Sequence, residues 1–171
     1  SLYHTMINPS VYMDVDGSYR GNDMEIHRAD GFTNYTVFSL WDTYRAEHPL
    51  LSLLHPKRNM DMAQSMIRIQ QQSALSVLPM WYLMANEGWC MSGYHAASVL
   101  SDVATKVGFA DMPAMLRAMA TTASSPWIEG LRDYMRLGYV PYDHCGTSAS
   151  NTLEYAYDDW AIAQLAKAIG N

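Results

Sequence analysis

After residue 40 the apolar positions of the chain recur at helical spacing, whereas the first forty residues show no such period. Residues 8–36 are rich in Gly, Asp, Asn and Tyr, which favour turns, and predict an irregular N-terminal excursion holding a short β-hairpin. From Leu40 to Leu54 the apolar positions fit a helix that Pro49 should interrupt or restart. Pro56 suits the first turn of the next helix, which runs to about Ser73 with Met62, Met66 and Ile69 on one stripe. A loop around Pro79–Gly88 leads into a helix from about Cys90 to Lys106, with Gly108 as its stop. Asp111 caps a helix that has Pro113 in its first turn and ends near Ala123; a shorter one spans Trp127–Leu137 and stops at Gly138. In the last helix Asn151 and Glu154 have capping-box spacing, and Leu153, Tyr157, Trp160, Leu165 and Ile169 follow helical spacing to Gly170. Five or six helices with almost no strand pattern predict an all-α, layered architecture.

Composition narrows this picture. The 171 residues suffice for one domain with a sizeable core, and they contain no internal repeat or low-complexity linker. Only 16% are charged and 49% are apolar, so the chain is either core-rich or cut from something larger. The opening Ser1-Leu2-Tyr3-His4 reads as the inside of an element, and we expect the N-terminus to be a cut. No signal peptide is visible, and no apolar run approaches the length of a membrane span. A net charge of -6 with no basic stripe excludes nucleic acid as the expected partner. Cys90 and Cys145 fit no metal spacing, and whether they pair is left open. The 13 Met residues read as core filling.

The aromatic set, 5 Trp and 12 Tyr against 3 Phe, suits wet clefts and sugar faces as well as cores. Within it Glu87 stands out, flanked by Trp81 and Trp89, preceded by Asn86 and followed by His95. Burial among aromatics disfavours a charged carboxyl, which is what a general acid near neutral pH needs, so Glu87 is the candidate proton donor of a carbohydrate site. Trp41, Asp42 and Arg45 form a second aromatic and charged cluster, readable either as a sugar-facing group or as a weak helical pair. His95 is either a substrate contact or a satisfied core histidine. Asp158 and Asp159 lie on a mostly apolar helix and are expected to support structure behind the site. Asp14, Asp16 and Glu25 superficially resemble an EF-hand loop, but Tyr19 stands where the sharp turn needs Gly. No His-x-x-x-His pair, phosphate loop or Gly-x-Ser-x-Gly elbow is present, which removes support for a zinc hydrolase, nucleotide chemistry and serine hydrolysis.

Five blocks, YHTMINPSVYMDVDGSYRG, FTNYTVFSLWDTYRAEHPL, LPMWYLMANEGWCMSGYH, GYVPYD and TLEYAYDDWAIAQLAKAIG, are spread over nearly the whole length of the chain. In these blocks the chain resembles glycoside hydrolase family 92, the calcium-dependent exo-acting α-mannosidases. The resemblance implies part of an (α/α)6 toroid, truncated at both ends and usually preceded by a β-sandwich domain. It also implies hydrolysis of terminal α-linked mannose from glycans with inversion, by a periplasmic or secreted parent. The Glu of the Asn86-Glu87 pair becomes the general acid, with Trp41, Asp42, Arg45, Asn86, Trp89 and His95 lining the sugar site. Inversion requires a base roughly 6.5–9.5 Å from the acid, and the resemblance places it beyond Asn171, so no turnover is expected of the 171 residues alone. A Ca²⁺ ion would contact the terminal mannose, and the resemblance assigns its ligands to no particular residues of this chain. Some α-1,2-acting relatives carry a His-Glu pair where this chain reads Cys145-Gly146-Thr147-Ser148, which removes support for strict 1,2 specificity. The alternative is a non-catalytic carbohydrate-binding or structural fragment of a glycosidase-like toroid.

Overall fold

A computed structural model describes residues 2–170. The N-terminal third is not helical. After a 3-10 turn at His4–Met6 come strands β1 (Ser10–Val11), β2 (Ser18–Arg20), β3 (Ile26–Arg28), β4 (Tyr35–Thr36) and β5 (Phe38–Ser39). Strands β2 and β3 form the expected antiparallel hairpin, with Tyr19 opposite His27, while β1 pairs with β4. A third sheet, in the order β5-β6-β7, was not expected: β6 (Trp81–Leu83) and β7 (Asn86–Glu87) replace the loop anticipated at Pro79–Gly88. Between them Met84 and Ala85 both have positive φ, 42° and 64°, as the turn of a two-residue hairpin of this hand requires. The all-α expectation is therefore corrected to a helical body carrying three small sheets.

The helices are α1 (Leu40–Thr43), α2 (Glu47–Leu54), α3 (Pro56–Gln72), α4 (Ala96–Lys106), α5 (Met112–Ala123), α6 (Leu131–Leu137) and α7 (Ser148–Ala168). The break in 40–54 falls before Pro49, which sits in the first turn of α2, where its missing N–H costs nothing. Pro56 opens α3 as expected. The Asp111 side chain accepts from Ala114 N–H at 2.9 Å, capping α5. Gly138, at φ 80°, closes α6 through its N–H to the Tyr134 carbonyl. Helix α6 starts at Leu131 rather than Trp127.

The core lies between α3, α4, α5 and α7, with α4 at its centre. Helix α4 is rich in Ala and Ser, and these small side chains let α2, α3, α5 and α7 all approach it. Met62, Met66, Met115 and Met119 fill the interior, matching the core-filling reading, whereas Met84 and Met91 are exposed near Glu87. Helix α7 departs from its pattern. It begins at Ser148, so the Asn151–Glu154 capping box is not formed. Its buried face runs through Asn151, Tyr155, Asp158, Ala161 and Leu165, while Leu153, Tyr157 and Trp160 of the expected stripe are exposed. The buried polar residues explain the switch: Asn151 donates to Cys145 Sγ and Thr147 Oγ1, and Asp158 binds across to α4.

Candidate active site

Strand register fixes where Glu87 points. It lies opposite Tyr82, which lies opposite Phe38 on β5, and directly opposed residues share a sheet face. Phe38 and Tyr82 are buried, so Glu87 occupies the half-buried outer edge of the core face. Its carboxylate curls back over β6. Oε2 accepts from Met80 N–H at 2.9 Å; Oε1 accepts from Trp81 N–H at 2.8 Å and Trp89 N–H at 3.1 Å. Three donors on four lone-pair positions leave one acceptor position, on Oε2. The flanking tryptophans do not enclose the group as a desolvating wall. Trp81 is half-buried and Trp89 is exposed, and it is the surrounding backbone that grips the carboxylate.

That grip is built on unusual backbone. Of seven non-glycine residues with positive φ among the described residues, four are Met84, Ala85, Trp89 and Met91. Side chains rarely adopt this region, and such outliers gather at functional sites. The expected helix start at Cys90 is displaced to Ala96 because Met91 and Gly93 also turn left-handed. Gly93 is required there, since a Cβ would lie 2.5 Å from His95 Nε2. Glu87, Asn86 and Trp89 line a cavity of about 200 Å³ together with Asn22 and residues of the 73–77 segment.

The other candidate residues form a second, linked group. Ser39 Oγ donates to the Asp42 carboxylate at the start of α1, and Ser39 is the register partner of Trp81. Asp42 and Glu87 are therefore anchored to one three-stranded sheet. Arg45 places its guanidinium over Tyr44, 4.7 Å from the ring centre, and beside Trp41 at 5.4 Å. It also donates to Glu154 Oε1 at 3.1 Å, and Tyr44 O–H donates to Oε2 at 3.2 Å. His95 does not sit one or two turns into a helix. It immediately precedes α4, is 2% exposed, and stacks on Tyr44 at 4.0 Å. Its Nδ1 is 2.9 Å from Asp158 Oδ1, and Nε2 is 3.2 Å from Glu154 Oε2 without hydrogen-bond alignment. Burial, and then the Glu154 carboxylate, push the Tyr44 hydroxyl up to about 12. Burial raises the Asp158 carboxyl above its ordinary range, against the pull of His95.

Asp158 also accepts Tyr94 N–H at 2.7 Å, and Asp159 accepts the hydroxyls of Tyr94 and Tyr134. Both carboxylates thus have supporting partners, as anticipated from the sequence. Glu154 was missed as the hub of Arg45, Tyr44 and His95. Its spacing of four from Asp158, which puts both on one helix face, was the available signal. Arg45 with Tyr157 and Trp160 lines a larger cavity of about 660 Å³, which Glu87 does not reach. Among the described residues no three His, Cys, Asp or Glu side chains are placed to hold a metal ion. Asp14, Asp16 and Glu25 do not converge, and Asp16 is engaged by Ser18. Cys90 and Cys145 are both free thiols. No helix is long and apolar enough to cross a membrane among the described residues.

A family model described as the glycosyl hydrolase family 92 catalytic domain matches residues 1–171. No curated protein sequence matches the chain. Among solved structures, the family GH92 α-mannosidase BT3965 from Bacteroides thetaiotaomicron is 49% identical, with a TM-score of 0.95 over 98% of this chain and 23% of its own. The same enzyme is also known in complex with mannoimidazole. The family GH92 inverting mannosidase BT2199 from Bacteroides thetaiotaomicron VPI-5482 is 33% identical, with a TM-score of 0.88 over 99% of this chain and 24% of its own. The chain thus spans less than a quarter of the length of these relatives. On the family match and these likenesses together, the chain belongs to glycosyl hydrolase family 92, within its catalytic domain.

Proposed function

We propose that this chain is the acid-bearing part of an enzyme that hydrolyses terminal α-linked mannose from glycans with inversion, and that Glu87 is its general acid. One observation carries the assignment: the Glu87 carboxylate is fixed by three backbone N–H groups at the mouth of a small cavity. The free position on Oε2 carries the proton to the glycosidic oxygen. The three N–H groups hold the carboxyl group in a fixed orientation for the transfer. The mannoimidazole complex of a 49% identical relative supports mannose as the sugar. A water activated by a second carboxylate attacks the opposite ring face. We place that base, and the remainder of an (α/α)6 toroid, in the rest of the parent protein.

Calcium dependence and a periplasmic or secreted location belong to the same reading. The described residues offer no metal-binding group, so no step is routed through the ion on this chain. The test is mannose release by the full-length protein, wild type and Glu87→Gln, with and without EDTA. We expect EDTA to abolish release and added Ca²⁺ to restore it. We expect Glu87→Gln to lose roughly 10²–10⁴-fold in rate. Undiminished activity of Glu87→Gln would remove the assignment, and activity indifferent to EDTA would remove calcium from it.

A further inference from the structure

Next to the acid, the β2–β3 hairpin reaches across from an otherwise separate sheet. Its turn, Gly21–Glu25, is tied down tightly. Gly21 N–H donates to the Glu25 carbonyl, Met24 N–H to the Gly21 carbonyl, and Asp23 accepts from Glu25 N–H while its carboxylate sits 2.9 Å from His27 Nε2. The hairpin is then docked on the end of α3, where Gln72 Nε2 donates to the Tyr19 hydroxyl at 3.0 Å. The approach is so close that a Cβ at Gly21 would lie 2.8 Å from Gln72 Oε1 and 2.6 Å from the His27 ring. The turn thus packs tightly on the end of α3. As a result Asn22 is held against the cavity that Glu87, Asn86 and Trp89 line.

We propose that Asn22 is a specificity-determining residue that hydrogen-bonds the sugar on the leaving-group side of the scissile bond. The inference rests on Glu87 being the general acid. In an inverting mechanism the acid acts on the leaving-group side while water attacks the opposite ring face, so a cavity that Glu87 lines is placed to receive the expelled group. The walls suit a second pyranose: Asn22, Ser73 and Asn86 offer polar groups for hydroxyls, and Ile69, Leu75 and Val77 offer apolar surface for a ring face. A carboxamide supplies both donor and acceptor, as a sugar hydroxyl does, and its placement on a pinned turn reduces the ordering cost of the contact.

The experiment compares kcat/KM of the full-length protein on an α-linked mannobiose and on 4-nitrophenyl α-mannoside, whose leaving group carries no hydroxyls of a sugar. Asn22→Ala should lose about tenfold or more on the disaccharide relative to its loss on the aryl mannoside. Equal losses on both substrates, or no loss on either, overturn the proposal. Asn22→Asp keeps the shape while removing the donor, and should show the same selective loss if Asn22→Ala is poorly folded; melting temperatures identify that case. Glu87→Gln run in parallel separates the two claims: its failure to lose activity on the disaccharide refutes the acid, whatever Asn22 does.

Discussion

Two of the buried titratable residues, Asp158 and His48, behave differently, and each makes a prediction. Asp158 is fully buried and accepts from both Tyr94 N–H and His95 Nδ1, so Asp158→Ala leaves two interior donors without acceptors. We expect a loss of about 3 kcal/mol or more in chemical denaturation; a change below about 1 kcal/mol would mean that the network is idle. His48 is wholly buried, with Nδ1 2.7 Å from Asn59 Oδ1, and burial pushes its imidazole down to about 4. Its folded value lies below the unfolded 6.5, so the unfolded chain binds more protons between pH 4 and 6.5, and stability rises with pH across that window. The full span is on the order of 3 kcal/mol. Glu47 opposes this, because burial raises its carboxyl to about 6, and its contribution falls as pH rises from 4.5 through 6. Denaturation of Glu47→Gln should therefore show a steeper rise with pH than wild type; a flat profile in both would show that neither group stays neutral in the fold.

At the scale of elements, the hairpin that carries Glu87 is built with the wrong residues for its turn. Met84 and Ala85 hold positive φ at the two positions where Asn-Gly is favoured. Replacing the pair with Asn-Gly should stabilise by roughly 1 kcal/mol in denaturation, and a loss would show that the strained turn is compensated by contacts of Met84 or Ala85. The same turn explains why β6 and β7 were illegible in the sequence. Without a turn signal between Leu83 and Asn86, a strand of three residues and one of two look like loop. Legible elements had local causes: Pro56 opening α3, Asp111 capping α5, and Gly138 closing α6. Helix α7 misled because its buried face carries Asn151 and Asp158, whose burial depends on partners more than sixty residues away in the case of Asp158. The aromatic setting of Glu87 was legible from its neighbours; its grip by backbone N–H groups was not, since that depends on the hairpin.

At the scale of the whole molecule, α7 carries an exposed apolar face. Leu153, Tyr157 and Trp160 are 72%, 41% and 56% exposed along α7, and the chain spans less than a quarter of the length of its relatives. Exposed apolar faces of this kind mark contact surfaces. Expressed alone, the 171 residues should bind a hydrophobic dye and self-associate in sedimentation, while the full-length protein should do neither; a monodisperse, dye-silent fragment would show that this face is stable in water. On the proposed reading, function is likewise shared between Glu87 as acid and a base elsewhere in the parent protein. A general acid matters in proportion to how badly the leaving group needs a proton. The most direct measurement is therefore kcat/KM of full-length wild type and Glu87→Gln on an α-mannobiose and on 2,4-dinitrophenyl α-mannoside. The account predicts a loss of roughly 10²–10⁴-fold on the disaccharide and a far smaller one on the dinitrophenyl substrate, which departs without protonation. Equal losses on both substrates, or none on the disaccharide, would contradict it.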